Sequence, residues 1–136
     1  MHLDHIVLWV EDPMRSVEFF EHAVGLTAMR VDEYRAKQVQ YPSVRVNETT
    51  IIDLFPRAAA PEVNKIPGAA GTAGHLTNHV CLAMSEAEFA ELQARLTAHG
   101  IAFGRFMENQ FGACGSAPKA FYFRDPDGNV LEARHY

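Results

Sequence analysis

The sequence is poor in cysteine and carries no excess of basic residues, and each shortage excludes a class of protein. Among 136 residues only Cys81 and Cys114 are cysteines, and they do not form a CxxC pair. Neither a disulfide framework nor a zinc ribbon is therefore expected. Lysine and arginine number 12 against 17 acidic residues, and the formal net charge of -5 argues against a nucleic-acid partner.

Long apolar segments are missing as well. The apolar run near the N-terminus is short and has neither a basic flank nor a small-residue cleavage site, which is typical of a strand rather than a signal peptide. No apolar run is long enough to cross a bilayer. We therefore expect a cytoplasmic protein that does not act in a membrane.

The sequence does contain an internal duplication. In the first half an apolar strand, 3–10, precedes the favourable N-cap Asp12 and a helix that ends at Gly25. In the second half a strand, 78–84, precedes a helix that opens on a capping box and ends at a glycine. The apolar stripes of the two helices differ by a constant 72 positions, since Val17, Phe20 and Val24 match Phe89, Leu92 and Leu96.

Three further strands are predicted after each helix. They cover residues 28–34, 39–46 and 49–55 in the first half, and 101–107, 119–124 and 129–135 in the second. The fold class predicted from this order is α+β, with two βαβββ modules, residues 1–57 and 75–136. Residues 58–74, rich in alanine, proline and glycine, form the predicted linker. The glycine-rich segment 112–116 is predicted to be a flexible rim.

Polar residues occur in these strands where apolar ones are expected. Strand alternation places His5 and His79 on the strand face that points away from the helix of their module. Asp53 and Glu132 lie in the apolar final strand of each module. A carboxylate there is costly unless it is paired, hydrogen-bonded or bound to a metal.

A histidine and an acid at matching places in both modules predict a site for one divalent metal ion. A single strand histidine usually packs in a core or lies at an edge, but the symmetry favours ligands. We expect His5, His79 and Glu132 to be joint ligands, and Asp53 to be a fourth ligand or a catalytic group. Such a set suits Fe, Mn, Ni, Co or Zn and leaves positions open for a substrate.

These residues resemble the vicinal-oxygen-chelate superfamily, which includes glyoxalases, bleomycin resistance proteins and extradiol dioxygenases. The resemblance covers nearly the whole chain and is carried by three segments: LDHIVLWVEDPMRSVEFFEHAVGL, NHVCLAM and FYFRDPDGNVLEA. It implies one domain, residues 1–136, of paired βαβββ modules whose mixed sheets curl around a metal. It also implies a homodimer with sites shared between subunits, and a small substrate that chelates the metal through adjacent oxygens.

The resemblance leaves the reaction open. The favoured interpretation is a glyoxalase-I-like lyase or isomerase, in which the metal acts as a Lewis acid and a carboxylate moves the proton. Asp53 is one methylene shorter than the family's glutamate, so it would act as the base or bind the metal through water. An extradiol dioxygenase needs only two histidines and one glutamate, and Tyr122 would then hydrogen-bond the bound catecholate. The second catalytic histidine of that class has no clear counterpart, although His75 lies next to the linker.

Two other classes fit less well. Fosfomycin thiol transferases carry a threonine where this chain has Val7, and they have a basic C-terminal tail that is missing here. Bleomycin-type proteins sequester a ligand without catalysis and lack the metal-binding set. The retained His5, His79 and Glu132 count against that class.

Overall fold

Apolar alternation near the N-terminus produces a strand with one buried face. In β1 (His5–Val10), Leu8 and Val10 are buried, whereas His5 and Val7 are exposed. This computed structural model describes residues 5–63, 65, 79–112 and 114–136. The chain divides into two compact units, residues 1–76 and 77–136. Most of the predicted linker, and His75 with it, lies outside the described residues.

The first unit combines one mixed sheet with short helices. The sheet has the strand order β1-β4-β3-β2, with β1 parallel to β4 and the other neighbours antiparallel. After β1 come α1 (Pro13–Glu18), a π-helical continuation (Phe19–Val24), β2 (Thr27–Met29), α2 (Val31–Arg35), β3 (Ser43–Arg45), β4 (Ile51–Pro56), a 3-10 turn (Arg57–Ala59) and α3 (Ala60–Val63).

The second unit repeats the central part of this topology. Its main sheet has the order β5-β9-β8, again with the first strand parallel to the last, and a separate hairpin pairs β6 with β7. The elements are β5 (Val80–Met84), α4 (Glu86–Ala98), β6 (Gln110–Gly112), β7 (Gly115–Ala117), β8 (Lys119–Arg124) and β9 (Val130–His135). The α+β fold class predicted from the sequence is confirmed.

The predicted helix ends are confirmed by hydrogen bonds. The Asp12 carboxylate accepts from the backbone amides of Met14 and Arg15, at 2.9 and 3.2 Å. Gly25 has a left-handed φ of 89° and closes the π-helical turn. In the second unit, Ser85 and Glu88 form the reciprocal capping box.

Each helix packs its apolar stripe on the sheet of its own unit. Val17 and Phe20 are buried, and α1 packs on β4, whose Ile52 and Leu54 are also fully buried. In the second unit α4 packs on β9, and Phe89 lies 5.0 Å from the ring of Phe121. The opposite face of each sheet therefore carries the polar strand residues.

Three predicted segments differ from the structure. The strand expected over 28–34 ends at Met29, because Asp32 and Glu33 fill the first turn of a short helix, α2. The strand expected over 101–107 makes only isolated bridges, from Phe103 to Phe123 and from Met107 to Ala120. Within the segment 112–116, predicted as a flexible rim, Gly112 pairs with Gly115 at the end of the β6–β7 hairpin. In the described part of the chain, no helix is long and apolar enough to span a membrane.

Candidate functional site

In the first unit, Asp53 stands in the sheet between its neighbours Val7 and Ser43. Val7 lies opposite Asp53 in the parallel β1–β4 pair, and Ser43 lies opposite it in the antiparallel β3–β4 pair. The Ser43 hydroxyl donates a 2.6 Å hydrogen bond to Asp53 Oδ1, and both residues are buried. His5 lies two residues before Val7 on the same strand face and is exposed. At least one hydrogen bond therefore offsets the cost of burying the Asp53 carboxylate.

In the second unit, Glu132 occupies the equivalent position. Cys81 of β5 lies opposite Glu132 in the parallel pair, and Tyr122 of β8 lies opposite it in the antiparallel pair. Glu132 is only 1% exposed. The acid that the sequence places in each final strand thus lies in the same register position in both units.

Glu132 is paired through both of its oxygens. Its Oε2 lies 3.1 Å from Nε2 of His79, which is partly exposed, and the His79 and Tyr122 rings meet edge-on at 5.3 Å. Its Oε1 accepts hydrogen bonds from Arg134, from Nε at 3.1 Å and from Nη2 at 2.5 Å. The structure therefore brings together three of the predicted site residues, His79, Tyr122 and Glu132.

Arg134 is the member of this cluster that sequence reasoning missed. It lies two residues after Glu132 on β9, so strand alternation puts both side chains on one face. Ala83 and Ala120 flank it in register, and its Nη1 lies 3.4 Å from the Tyr136 hydroxyl. Hydrogen bonds with Tyr136 and with Glu132 raise the pKa of the guanidinium, so Arg134 is always charged. The i, i+2 spacing of a buried acid and a base was the available signal.

The negative charge of Glu132 affects its two strand neighbours. Burial, followed by the nearby Glu132 carboxylate, raises the pKa of the Tyr122 phenol above its usual value. The same two causes, in the same order, raise the pKa of the Cys81 thiol. Tyr122 is therefore a hydrogen-bond donor at neutral pH, and Cys81 is a poor nucleophile.

In the first unit, the strand position that matches Arg134 is aromatic, and so is the residue opposite it. Phe55, which follows Asp53 by two residues, lies opposite Trp9, and their rings meet edge-on at 5.8 Å. Tyr41 stacks on Phe55 at 3.9 Å, and the Arg30 guanidinium lies 4.7 Å from the Tyr41 ring centroid. The two units therefore differ at the position two residues after the acid, which is Phe55 in the first unit and Arg134 in the second.

The spacing of His79 and Glu132 fits a transition-metal ion. Two adjacent ligands of an octahedral ion, each bound at about 2.1 Å, are separated by about 3 Å. The 3.1 Å between Nε2 and Oε2 matches that separation. Among the residues that the structure describes, however, no three histidine, cysteine, aspartate or glutamate side chains gather into a group that could hold a metal. The second unit thus brings two of the predicted ligands, His79 and Glu132, within hydrogen-bond distance of each other.

Comparison with known proteins identifies the relatives of this chain. The family model described as Glyoxalase/Bleomycin resistance protein/Dioxygenase superfamily matches residues 2–133. The virulence protein STM3117 of Salmonella typhimurium is 28% identical over 135 residues, which are 98% of this chain and 83% of the relative. Its crystal structure, which covers 100% of this chain and 97% of its own, has a TM-score of 0.76 at 21% identity.

Two further solved structures share the fold. An integron cassette protein from the mobile metagenome of V. cholerae has a TM-score of 0.73 at 24% identity and covers 100% of this chain and 95% of its own. A lactoylglutathione lyase from Agrobacterium tumefaciens has a TM-score of 0.68 at 20% identity, covering 98% and 92% of the two chains. At these identities the similarity shows a common fold but does not show a common activity.

Proposed function

Since the chain belongs to the Glyoxalase/Bleomycin resistance protein/Dioxygenase superfamily, we propose that it is a divalent-metal enzyme whose small substrate presents two adjacent oxygens. The observation that carries this proposal is the 3.1 Å approach of His79 Nε2 to Oε2 of the buried Glu132 carboxylate. We propose His5 as the third protein ligand, because the two histidines hold matching places in their units. His5 is the first residue of β1, and His79 immediately precedes β5.

Within this class we propose a glyoxalase-I-like lyase or isomerase. A divalent ion at this site would supply Lewis-acid polarisation of the substrate oxygens. Glu132 is a poor proton acceptor, because Arg134 and His79 engage both of its oxygens. Asp53 is the better candidate for the base, since Ser43 orients its buried carboxylate through one hydrogen bond.

The experiment compares matched variants on one substrate. Ni(II)- or Zn(II)-loaded protein is given the hemithioacetal of methylglyoxal and glutathione, and its disappearance is followed by absorbance. We expect Asp53→Asn to remove turnover while metal content is unchanged, because the amide keeps the Ser43 contact but cannot take a proton. Ser43→Ala, which keeps the carboxylate, should lose far less activity. Turnover that survives in Asp53→Asn would rule out this base.

A ring-cleaving extradiol dioxygenase is the second candidate, and the position of Tyr122 favours it. Tyr122 lies opposite Glu132 and edge-on to His79, where a phenol could donate to a bound catecholate. Fe(II)-loaded protein mixed with catechols in air would then give a yellow ring-cleavage product that Tyr122→Phe abolishes. This result, together with no turnover of the hemithioacetal, would replace the lyase proposal.

We also propose that the protein is a homodimer whose metal site draws on two copies of the chain. In each unit, the sheet face that carries the site residues is exposed in part. Val7 of the first unit is 38% exposed, and Ala83 of the second unit is also exposed. A second copy that covers this face would remove apolar surface from water.

A further inference from the structure

We infer that the cleft between residues 101–104 and β8 binds a small apolar carboxylate, with its charge held by Arg124. The cleft has a volume of about 470 Å³, and its lining residues, among them Tyr122, Arg124 and Val130, belong to the second unit. Cavities of this size hold small organic molecules. The inference goes beyond the proposed function and requires no metal ion.

The cleft exists because two small residues face β8. Phe103 pairs with Phe123 in an antiparallel bridge, so the two side chains lie on one face of the sheet. On the other face, the neighbouring Ala102 and Gly104 offer little or no side chain beside Tyr122. The Gly104 amide donates to the Tyr122 carbonyl at 2.8 Å, so the segment runs close along the strand. The space above it is therefore left to a ligand.

The cleft combines apolar walls with a positive charge. Ile101, Phe103 and Val130 line it, and each is partly buried. Arg124 also lines it and is exposed, and its Nη1 donates to the Gly128 carbonyl at 2.7 Å, which orients the guanidinium. A guanidinium has five N–H groups and this bond uses one of them, so others can bind a carboxylate. An apolar body with one carboxylate matches both features.

Two buried carboxylates near the cleft are engaged by other donors. Asp125 follows Arg124, and its oxygens accept hydrogen bonds from the backbone and side-chain N–H groups of Asn129, at 2.8 and 2.7 Å. Glu132 accepts from Arg134. Because these two acids have their own partners, the charge of Arg124 is available to an anion that enters from solvent.

The test compares two ligands of one shape, the anion cinnamate and its neutral amide, cinnamamide. Each is titrated into the purified protein with and without EDTA, and binding is measured by calorimetry. We expect cinnamate to bind about tenfold more tightly than the amide, with or without EDTA, because the guanidinium forms charge-assisted hydrogen bonds with the carboxylate. Arg124→Gln should weaken the binding of cinnamate alone. Arg124→Lys, which keeps the charge, should retain most of the preference.

Gly104 supplies the variant that locates the ligand. A Cβ atom at this position would lie 3.6 Å from the Tyr122 carbonyl oxygen, which is an ordinary contact, so the backbone tolerates a side chain there. Gly104→Leu should fill part of the cleft and weaken both ligands by about tenfold, since less apolar surface is buried on binding. The control is Lys119→Gln, which removes another exposed cation of β8 and should change neither affinity.

The outcomes decide the inference separately from the proposed function. Equal binding of cinnamate and cinnamamide by the wild type would overturn the preference for an anion. If Gly104→Leu leaves cinnamate binding unchanged, the ligand lies elsewhere and the inference is wrong. Binding that EDTA abolishes would belong to a metal site, which rejects this inference and supports the proposed function. Should Arg124→Gln not fold, the wild-type ratio of the two affinities and the Gly104→Leu result give the decision.

Discussion

Arg134 donates two hydrogen bonds to one oxygen of Glu132, and the two residues are separated by a single position on β9. Because strand side chains alternate, the pair lies on one face of the sheet. The other oxygen of Glu132 is left to face His79. Arg134 therefore acts as the outer partner that fixes the orientation of a candidate metal ligand.

Removing one member of this buried pair should destabilise the protein strongly. We expect Glu132→Leu to lower the free energy of unfolding by about 3–5 kcal/mol, because Arg134 would remain buried without its carboxylate. In the double variant Glu132→Leu/Arg134→Met, part of this loss should be recovered. A double-mutant cycle on metal-free protein, measured by urea unfolding, should give a coupling energy of about 2–3 kcal/mol.

The pair Glu91–Arg95, at 3.5 Å on α4 with side chains 68% and 35% exposed, is the control for this cycle. Its coupling energy should be about 0.3–0.5 kcal/mol, as for other i, i+4 pairs in solvent. Equal coupling energies for the two pairs would show that burial does not strengthen the interaction between Glu132 and Arg134.

Loss of the imidazole should remove most of the metal affinity. We expect His79→Ala to weaken Co(II) binding by about two orders of magnitude or more, since one of the two proposed ligands in the second unit is lost. Metal content after dialysis and titration followed by visible absorbance measure the effect. His22→Ala, which changes an exposed histidine of the first unit, should bind Co(II) like the wild type. An unchanged affinity in His79→Ala would remove this residue from the site.

Much of the site could be predicted from strand periodicity alone. A period of two placed the two histidines on the face away from the helices, and each acid was expected in the final strand of its module; burial of Leu8, Ile52 and Leu131 confirms the opposite face as core. The equal register of Asp53 and Glu132 then follows from the duplication, because both units pair their first and last strands in parallel.

The remaining features of the structure could not be predicted from strand periodicity. Residues 31–35 form a helix because favourable charges at its two ends outweigh a weak strand pattern. Gly104 stands in the middle of the expected strand 101–107, and glycine weakens strand pairing. The partnership of Glu132 with Arg134 depends on which buried charges meet, and this is a tertiary property.

The Tyr122 phenol should titrate above the usual tyrosine range, because burial and then the Glu132 charge raise its pKa. Phenolate absorbance in a pH titration, with Tyr122→Phe subtracted to isolate this residue, measures the shift. Glu132→Gln should lower the pKa, since the phenolate would no longer face a carboxylate. A titration curve that is identical in Glu132→Gln would show that the carboxylate does not influence the phenol.

The raised pKa of Tyr122 also makes the stability of the fold depend on pH. The folded protein holds the phenolic proton more tightly than the unfolded chain does, so this contribution is complete below the unfolded pKa of tyrosine. It is lost as the pH rises through the folded pKa. Tyr122→Phe should therefore lose stability less steeply at alkaline pH than the wild type.

If the metal site draws on two copies of the chain, two defective variants should complement each other. His5→Ala damages the first unit and His79→Ala damages the second, so each homodimer has no complete site. In a mixed dimer, one of the two shared sites combines intact units from different chains. Random exchange of equal amounts should therefore restore about one quarter of the Co(II) sites. No recovery after verified subunit exchange would mean that the ligands come from within one chain, and the shared-site proposal would be wrong.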